Sequence, residues 1–232
     1  MPTPPTDEPF LKQSQERLRP SLRNPSWLVL RKRRQILEER IERLPGELLI
    51  LDVGGRLQPY RSLLQARIKS YVAIDPMLTP LVDAAAFAEA LPFREAQFDL
   101  VLCTQVLEYF PDPGRAIEEI RRVLRKGGFA FISAPSVFVR DHDKECWRFL
   151  PEGLRHLTRG FESVEVIPEG NSLTGLFRTL NVFLVSFFRP RVLLPLCQWT
   201  LVPLLNIAGF ALEKLGRENE DFAANFSVWA RK

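Results

Sequence analysis

The sequence predicts an α/β domain: a mostly parallel sheet covered by helices on both faces. Three observations carry that expectation. Short apolar runs such as ELLILDV (47–53) and FDLVLCT (98–104) have the length and composition of strands buried on both sides. Stretches with apolar residues three and four apart separate them, the period of helices that cover a sheet. Glycine or proline stands at most of the junctions. A chain of 232 residues suffices for one well-cored domain and is short for two.

Residues 1–25 hold six prolines, which fix φ and remove donors, so they read as a poorly ordered arm with a short helix near Leu11 to Leu18. Residues 26–44 read as a basic helix: Trp27, Leu30, Leu37, Ile41 and Leu44 share a stripe that Arg34 interrupts. Ser26 is its N-cap, and Pro45-Gly46 ends it. The core spans 45–167. After the strand at 47–53 come a helix over Pro59 to Ile68 and strands at 70–75 and 98–104. A helix from Pro113 to Arg125 follows, capped by Asp112 and stopped by Gly127-Gly128, then a strand at 128–134, a helix over Pro151 to Arg159 and a strand at 161–167. Residues 168–222 are too rich in Leu, Phe and Val for a linker and read as an apolar helical insert or lid. Within 223–232, FSVWARK alternates like a closing edge strand.

Composition excludes several classes. The 46% apolar content and 17 Phe supply a large core, and the net charge of +4, from 32 basic and 28 acidic residues, is too mild to indicate nucleic acid. Arg31, Lys32, Arg33 and Arg34 read as a solvated helix face. Cys103, Cys146 and Cys197 are far apart and odd in number, so neither a disulfide framework nor a zinc site is expected. The N-terminus lacks the charged-then-apolar order of a secretory signal, which fits a cytoplasmic protein.

The ligand signal lies after the first strand. Asp52-Val53-Gly54-Gly55 turns strand into helix, and open α/β sheets bind ligands at the carboxyl ends of their strands. Asp75 ends the second strand, 23 residues after Asp52, near the spacing at which a carboxylate accepts hydrogen bonds from ribose hydroxyls. The loop continues Arg56-Leu57-Gln58-Pro59, so the dinucleotide fingerprint GxGxxG and a Walker A lysine are both missing. A ligand with ribose but no phosphate suits it better. The plain alternative is that Asp52 caps a turn and Asp75 is a surface acid.

Four pieces in order resemble the class I S-adenosylmethionine-dependent methyltransferases: LLILDVGGRLQPY, YVAIDP, AEALPFREAQFDLVLCTQVLEYFPDP and IRRVLRKGGFAFISAP. The resemblance covers roughly residues 45–135 and implies a Rossmann-like, seven-stranded, mostly parallel sheet with the apolar insert before the last strand. It implies S-adenosylmethionine as cofactor. Asp52, Gly54 and Gly55 would line the methionine end, Asp75 the ribose, and Ala88 and Glu89 the adenine. Thr104 and Gln105 would face the sulfonium. Arg56 and Gln58 depart from the family's alternating glycines, Phe87 stands where an acid is usual, and Tyr109 replaces a familiar histidine. A second stretch, Asp143 to Leu154, resembles methyltransferases encoded with bacterial glycan and glycolipid genes.

Methyl transfer is an in-line displacement, so the protein orients the acceptor, excludes water and, for an oxygen or carbon nucleophile, removes a proton. His142, between Asp141 and Asp143, and Tyr109 are the candidate catalytic residues. Glu108 borders the site as a capping or pairing acid, and His156 reads as structural. Val192 to Leu212 is 21 residues without a charge, but Pro195, Pro203 and Asn206 dilute it. It reads as lid helices, and 176–212 offers peripheral contact with the inner face of a membrane, with Arg189 and Arg191 beside Phe183, Phe187 and Phe188. The expected acceptor is a small or lipid-linked molecule, with a sugar favoured and a quinone or other lipid next. A non-catalytic domain of the same fold is the competing class, and nucleic acid is not expected. No metal is expected, and the sequence leaves the oligomeric state open.

Overall fold

The computed structural model describes residues 7–140, 143–188, 193–214 and 219–232. In chain order the elements are α1 (Glu8–Leu18), α2 (Trp27–Glu42), β1 (Leu48–Val53), α3 (Arg61–Leu64) with a 3-10 turn at Gln65–Arg67, and β2 (Ile68–Asp75). Next come β3 (Ala84–Ala85), β4 (Phe98–Thr104), α4 (Pro113–Val123), β5 (Leu124–Pro135), α5 (Pro151–Thr158) and β6 (Ser163–Pro168). The chain closes with α6 (Ser172–Phe187), α7 (Leu193–Trp199), α8 (Leu201–Glu213) and β7 (Asn225–Arg231).

The strands form one seven-stranded sheet in the order β3-β2-β1-β4-β5-β7-β6, parallel except for β7. β7 lies between β5 and β6, antiparallel to both, so the expected edge position is corrected and β6 is the edge. The burial of Asn225 to Val228 and of Ala230 follows from that interior place.

One face of the sheet packs on α4 and α5 through Ile117, Ile120 and Leu154. The other packs on α1, α2 and α3 through Leu18, Leu37, Ile41 and Leu64. The proline-rich arm is therefore a docked helix from Glu8 onward, because Leu18 is buried in that second core. Ser26 holds the N-cap position of α2 without a side-chain cap bond, and its own amide donates to Asn24 Oδ1 at 2.9 Å. α2 is covered on two sides: Ile36, Leu37 and Ile41 meet the sheet, while Leu28 lies against Gly209 of α8.

Two helix ends differ from expectation. α3 and its 3-10 turn occupy only Arg61–Arg67 of the stretch 59–68. α4 begins as expected, Asp112 Oδ1 accepting from the Arg115 amide at 2.9 Å, but it ends at Val123. Gly127, at φ +77°, turns within the early part of β5 where pairing with β4 shifts register.

The insert folds back on the N-terminal half. Asn171 caps α6 by accepting from the Thr174 amide at 3.1 Å. Buried Asn181 of α6 donates to Asn206 Oδ1 of α8 at 2.9 Å, and Asn206 donates to the carbonyls of Leu22 and Asn24 at 2.8 and 3.0 Å. The polar residues that dilute this apolar stretch thus fix its position.

Candidate active site

Strand order reverses between β1 and β4, and the crevice beyond their carboxyl ends is where such sheets hold ligands. Val53 pairs with Ile74 on one side and Cys103 on the other, so the turns after β1, β2 and β4 meet there. The amides of Gly54 and Gly55 both donate to Ile74 O, at 2.8 and 2.9 Å. Gly54 has φ +75°, and a Cβ there would come within 3.0 Å of the Val106 side chain. Only glycine brings this turn so close to the loop after β4.

Two departures from the glycine pattern are accommodated. Gln58 adopts φ +49°, a left-handed backbone natural to glycine, and its buried side-chain amide donates to Leu81 O while Arg61 donates to its Oε1 at 2.9 Å. Arg56 turns toward the Met77 sulfur, 3.8 Å away. The loop therefore keeps a glycine-like path without the glycine.

Asp52 is buried and accepts from the Tyr71 hydroxyl at 2.6 Å. Desolvation pushes its carboxyl up to about 7, with the Tyr71 hydrogen bond opposing and the charge of Asp75 adding to the rise. Asp75, at the end of β2, uses Oδ1 to accept from the Met77 amide at 2.8 Å, and Oδ2 has no hydrogen-bond partner among the described residues. Exposed Met77, Leu78 and Phe87 follow in the loops around β3, with Ala88 buried and Glu89 half-buried beyond. Asp83 is committed to the sheet: its Oδ2 accepts from the Ala73 amide at 2.7 Å.

A cavity of about 220 Å3 opens beyond β4 and β5. α2 contributes Val29, Leu30 and Arg33, the loop after β4 Gln105, Glu108 and Tyr109, the loop after β5 Phe138 and Glu145, α1 Arg17 and α6 Arg178. Gln105, at φ +56°, is held by its amide to Ser133 O at 2.8 Å and by its side chain to Ser133 Oγ at 3.1 Å.

Glu108 is buried, and its Oε2 has no hydrogen-bond partner among the described residues. Burial raises its carboxyl to about 7. Arg33 and Arg148 pull it down and Glu145 pushes it up by smaller amounts. Behind the cavity, Glu169 receives Arg33 Nε and Nη2 at 2.8 Å each and the hydroxyls of Ser133 and Ser227 at 2.6 Å each. This pair corrects the reading of residues 31–34 as a wholly solvated face, because α2 lies between the sheet and the insert.

The structure thus brings Asp52, Gly54, Gly55 and Asp75 together, sets Thr104 and Gln105 beside them, and turns Tyr109 into the cavity. His142 lies outside the described residues, and His156 is exposed on α5 away from the cavity lining. Sequence reasoning passed over Glu108 as a site acid and missed Arg33, Arg178 and Glu169. Glu108 carried one signal, an acid four residues past strand 4. The others come from segments up to 145 positions apart in sequence and carried none.

A sheet in the order 3-2-1-4-5-7-6 with strand 7 reversed, a glycine turn after strand 1 and an acid ending strand 2 together define the class I methyltransferase fold. Residues 51–132 match the family described as a methyltransferase domain. It is 33% identical over 102 residues to an uncharacterized methyltransferase of Mycobacterium sp. (strain JLS), covering 40% of each chain. It is 48% identical over 86 residues to 2-methyl-6-phytyl-1,4-hydroquinone methyltransferase 2 of Oryza sativa subsp. japonica, covering 34% of this chain and 25% of that one. The chain spans two fifths or less of the length of these curated relatives. Among solved structures, a SAM-dependent methyltransferase from Archaeoglobus fulgidus superposes with a TM-score of 0.54 at 13% identity, over 95% of this chain and 99% of that one. S-adenosylmethionine is the cofactor this domain implies. The site fits it: a carboxylate oxygen of Asp75 is available to ribose hydroxyls, apolar side chains stand beside it, and the glycine amides are already bound to Ile74 rather than offered to a phosphate.

Proposed function

We propose that the protein transfers a methyl group from S-adenosylmethionine to a small or lipid-linked acceptor, with a sugar-bearing acceptor favoured. The observation that carries this is the continuity of the crevice: the loop after β4 packs on the glycine turn through Val106 and lines the cavity through Gln105, Glu108 and Tyr109. Asp75 would hold the ribose, Ala88 and Glu89 the adenine, and Asp52, Gly54 and Gly55 the shape of the turn at the methionine end. When bound, the cofactor supplies an electrophilic methyl group on a sulfonium leaving group. Thr104 and Gln105 orient the acceptor, α2 and α6 exclude water, and Glu108 accepts the proton of the acceptor's nucleophile at Oε2. Tyr109 borders the same space, and His142 keeps its expected role as a second candidate base.

Lipid linkage is supported by the insert. Phe183 and Phe187 on α6, Leu196 and Trp199 on α7 and Leu204 and Ile207 on α8 are all more than half exposed, apolar side chains that a lipid surface would cover. The stretch Leu193–Glu213 has the length and composition to cross a membrane, but Cys197, Val202, Asn206 and Gly209 face the protein, which suits a helix pair lying on a membrane surface. A charged and hydrogen-bonding lining favours a hydroxylated acceptor over a quinone ring. The test is transfer of labelled methyl from S-adenosylmethionine into separated glycolipid and quinone fractions. Label in the glycolipid fraction is expected. Label in the quinone fraction would replace the sugar reading, and none in either, with cofactor binding intact, would leave a non-catalytic domain.

A further inference from the structure

Charge in the cavity is unevenly compensated. Arg33 is matched by Glu169, and Glu145 by Arg148 at 2.8 Å. Arg178 has no such match among the described residues. It is 3% exposed, donates through Nη1 to Val137 O at 2.8 Å and stacks over the Phe138 ring at 4.0 Å. Among the described residues its buried Nε has no partner, Nη2 donates to nothing, and no carboxylate lies within ion-pair distance. Arg17, an exposed side chain of α1 on the same cavity, also lacks a carboxylate partner among the described residues. A guanidinium left with unused donors in a closed space is costly, and the rule for buried charge is that something pairs it. Here no described residue does.

We propose that the cavity binds an acceptor through an anionic group, a phosphate or a carboxylate, gripped by Arg178 from α6 and Arg17 from α1. The proposal names the acceptor class for the methyltransferase reading and rests on it only for the word acceptor. Arginine's planar fork suits the two oxygens of either anion. The cavity has the volume of about seven water molecules, enough for one ring with its substituents. Burial holds the Arg178 cation down to about 9, and a bound anion would reverse that. Glu108 lines the same cavity: protonated, it can donate to an anion oxygen, and ionised, as the transfer step requires, it repels the anion that the arginines hold.

The test is calorimetric titration of the full chain with glucose 1-phosphate, glucuronate, dihexanoyl phosphatidic acid and neutral glucose. S-adenosylhomocysteine is titrated separately. At least one anion is expected to bind ten times more tightly than glucose or better. That preference should collapse in Arg178→Gln and weaken in Arg17→Gln, with S-adenosylhomocysteine affinity unchanged. Tighter binding of phosphatidic acid than of glucose 1-phosphate assigns the anion to a lipid headgroup, and the reverse to a soluble phosphate. Equal binding of charged and neutral probes, or a preference untouched in both variants, overturns the proposal. Should Arg178→Gln fail to fold, Arg178→Lys and the exposed Arg17→Gln decide it. Anion preference without S-adenosylhomocysteine binding would uphold this site and remove the methyltransferase reading alone.

Discussion

Glu108 and Asp52 show how far position outweighs residue type. Asp52 lies near the end of β1 and Glu108 in the turn four residues past β4, and burial sets both near 7. Asp52 spends a hydrogen bond on Tyr71, so it holds the turn, whereas Glu108 keeps an oxygen without a partner in the cavity. A base must be ionised, so transfer should rise with pH through about 7, and Glu108→Gln should remove that rise and lower the rate by roughly 100-fold. The groups facing Glu108 include Arg33 of α2 and Glu145 and Arg148 of the loop after β5. A pH profile unchanged in the variant would reject the role. The stability sign is opposite. A carboxyl raised in the fold binds its proton more tightly folded than unfolded. Its contribution is full below about 4 and is lost as pH rises through about 7, on the order of 3 kcal/mol per group. At this scale the sequence revealed Asp52, Gly54, Gly55 and Asp75, because strand ends and turn glycines are local signals. It could not reveal Arg33 inside a run of four basic residues, whose partner Glu169 lies 136 positions away.

Among the elements, the strands were legible because a strand buried on both faces is apolar throughout, and 98–104 coincides with β4. The place of β7 was not. Alternation in FSVWARK and its basic end suggest an edge, but lateral neighbours are set by topology rather than by the strand's own residues. α6 depends on one contact invisible in sequence. A Cβ on Gly175 would overlap the Phe222 carbonyl oxygen and stand 3.2 Å from the Ala224 amide, on the segment that feeds β7. Gly175→Ala should cost roughly 1–3 kcal/mol in denaturant unfolding. Gly153→Ala in α5, where a Cβ meets nothing within 4 Å, should instead stabilise by roughly 0.5–1 kcal/mol. Equal effects would mean that α6 does not pack on that segment.

As a whole, the molecule has two unlike surfaces. One surface is the sheet's crevice and cavity, which α6 lines through Arg178; another is the outward apolar faces of α6, α7 and α8. Arg23 lies over the Trp199 ring at 4.0 Å, placing a cation at the rim of that face. Co-sedimentation with anionic vesicles should therefore be strong for the native protein and fall several-fold for Phe187→Ser with Trp199→Ser, without change in thermal stability. Equal sedimentation would make the face a contact for another protein or a second copy. The apolar composition of 168–222 announced an insert, and only the fold shows which side of each helix is left uncovered.

The central claim is that the crevice holds S-adenosylmethionine through Asp75, and titration with S-adenosylhomocysteine tests it most directly. Micromolar binding to the native chain is expected, with a loss of at least about tenfold in Asp75→Ala at unchanged melting temperature. No binding to the stable native chain, or an affinity indifferent to Asp75, would contradict it.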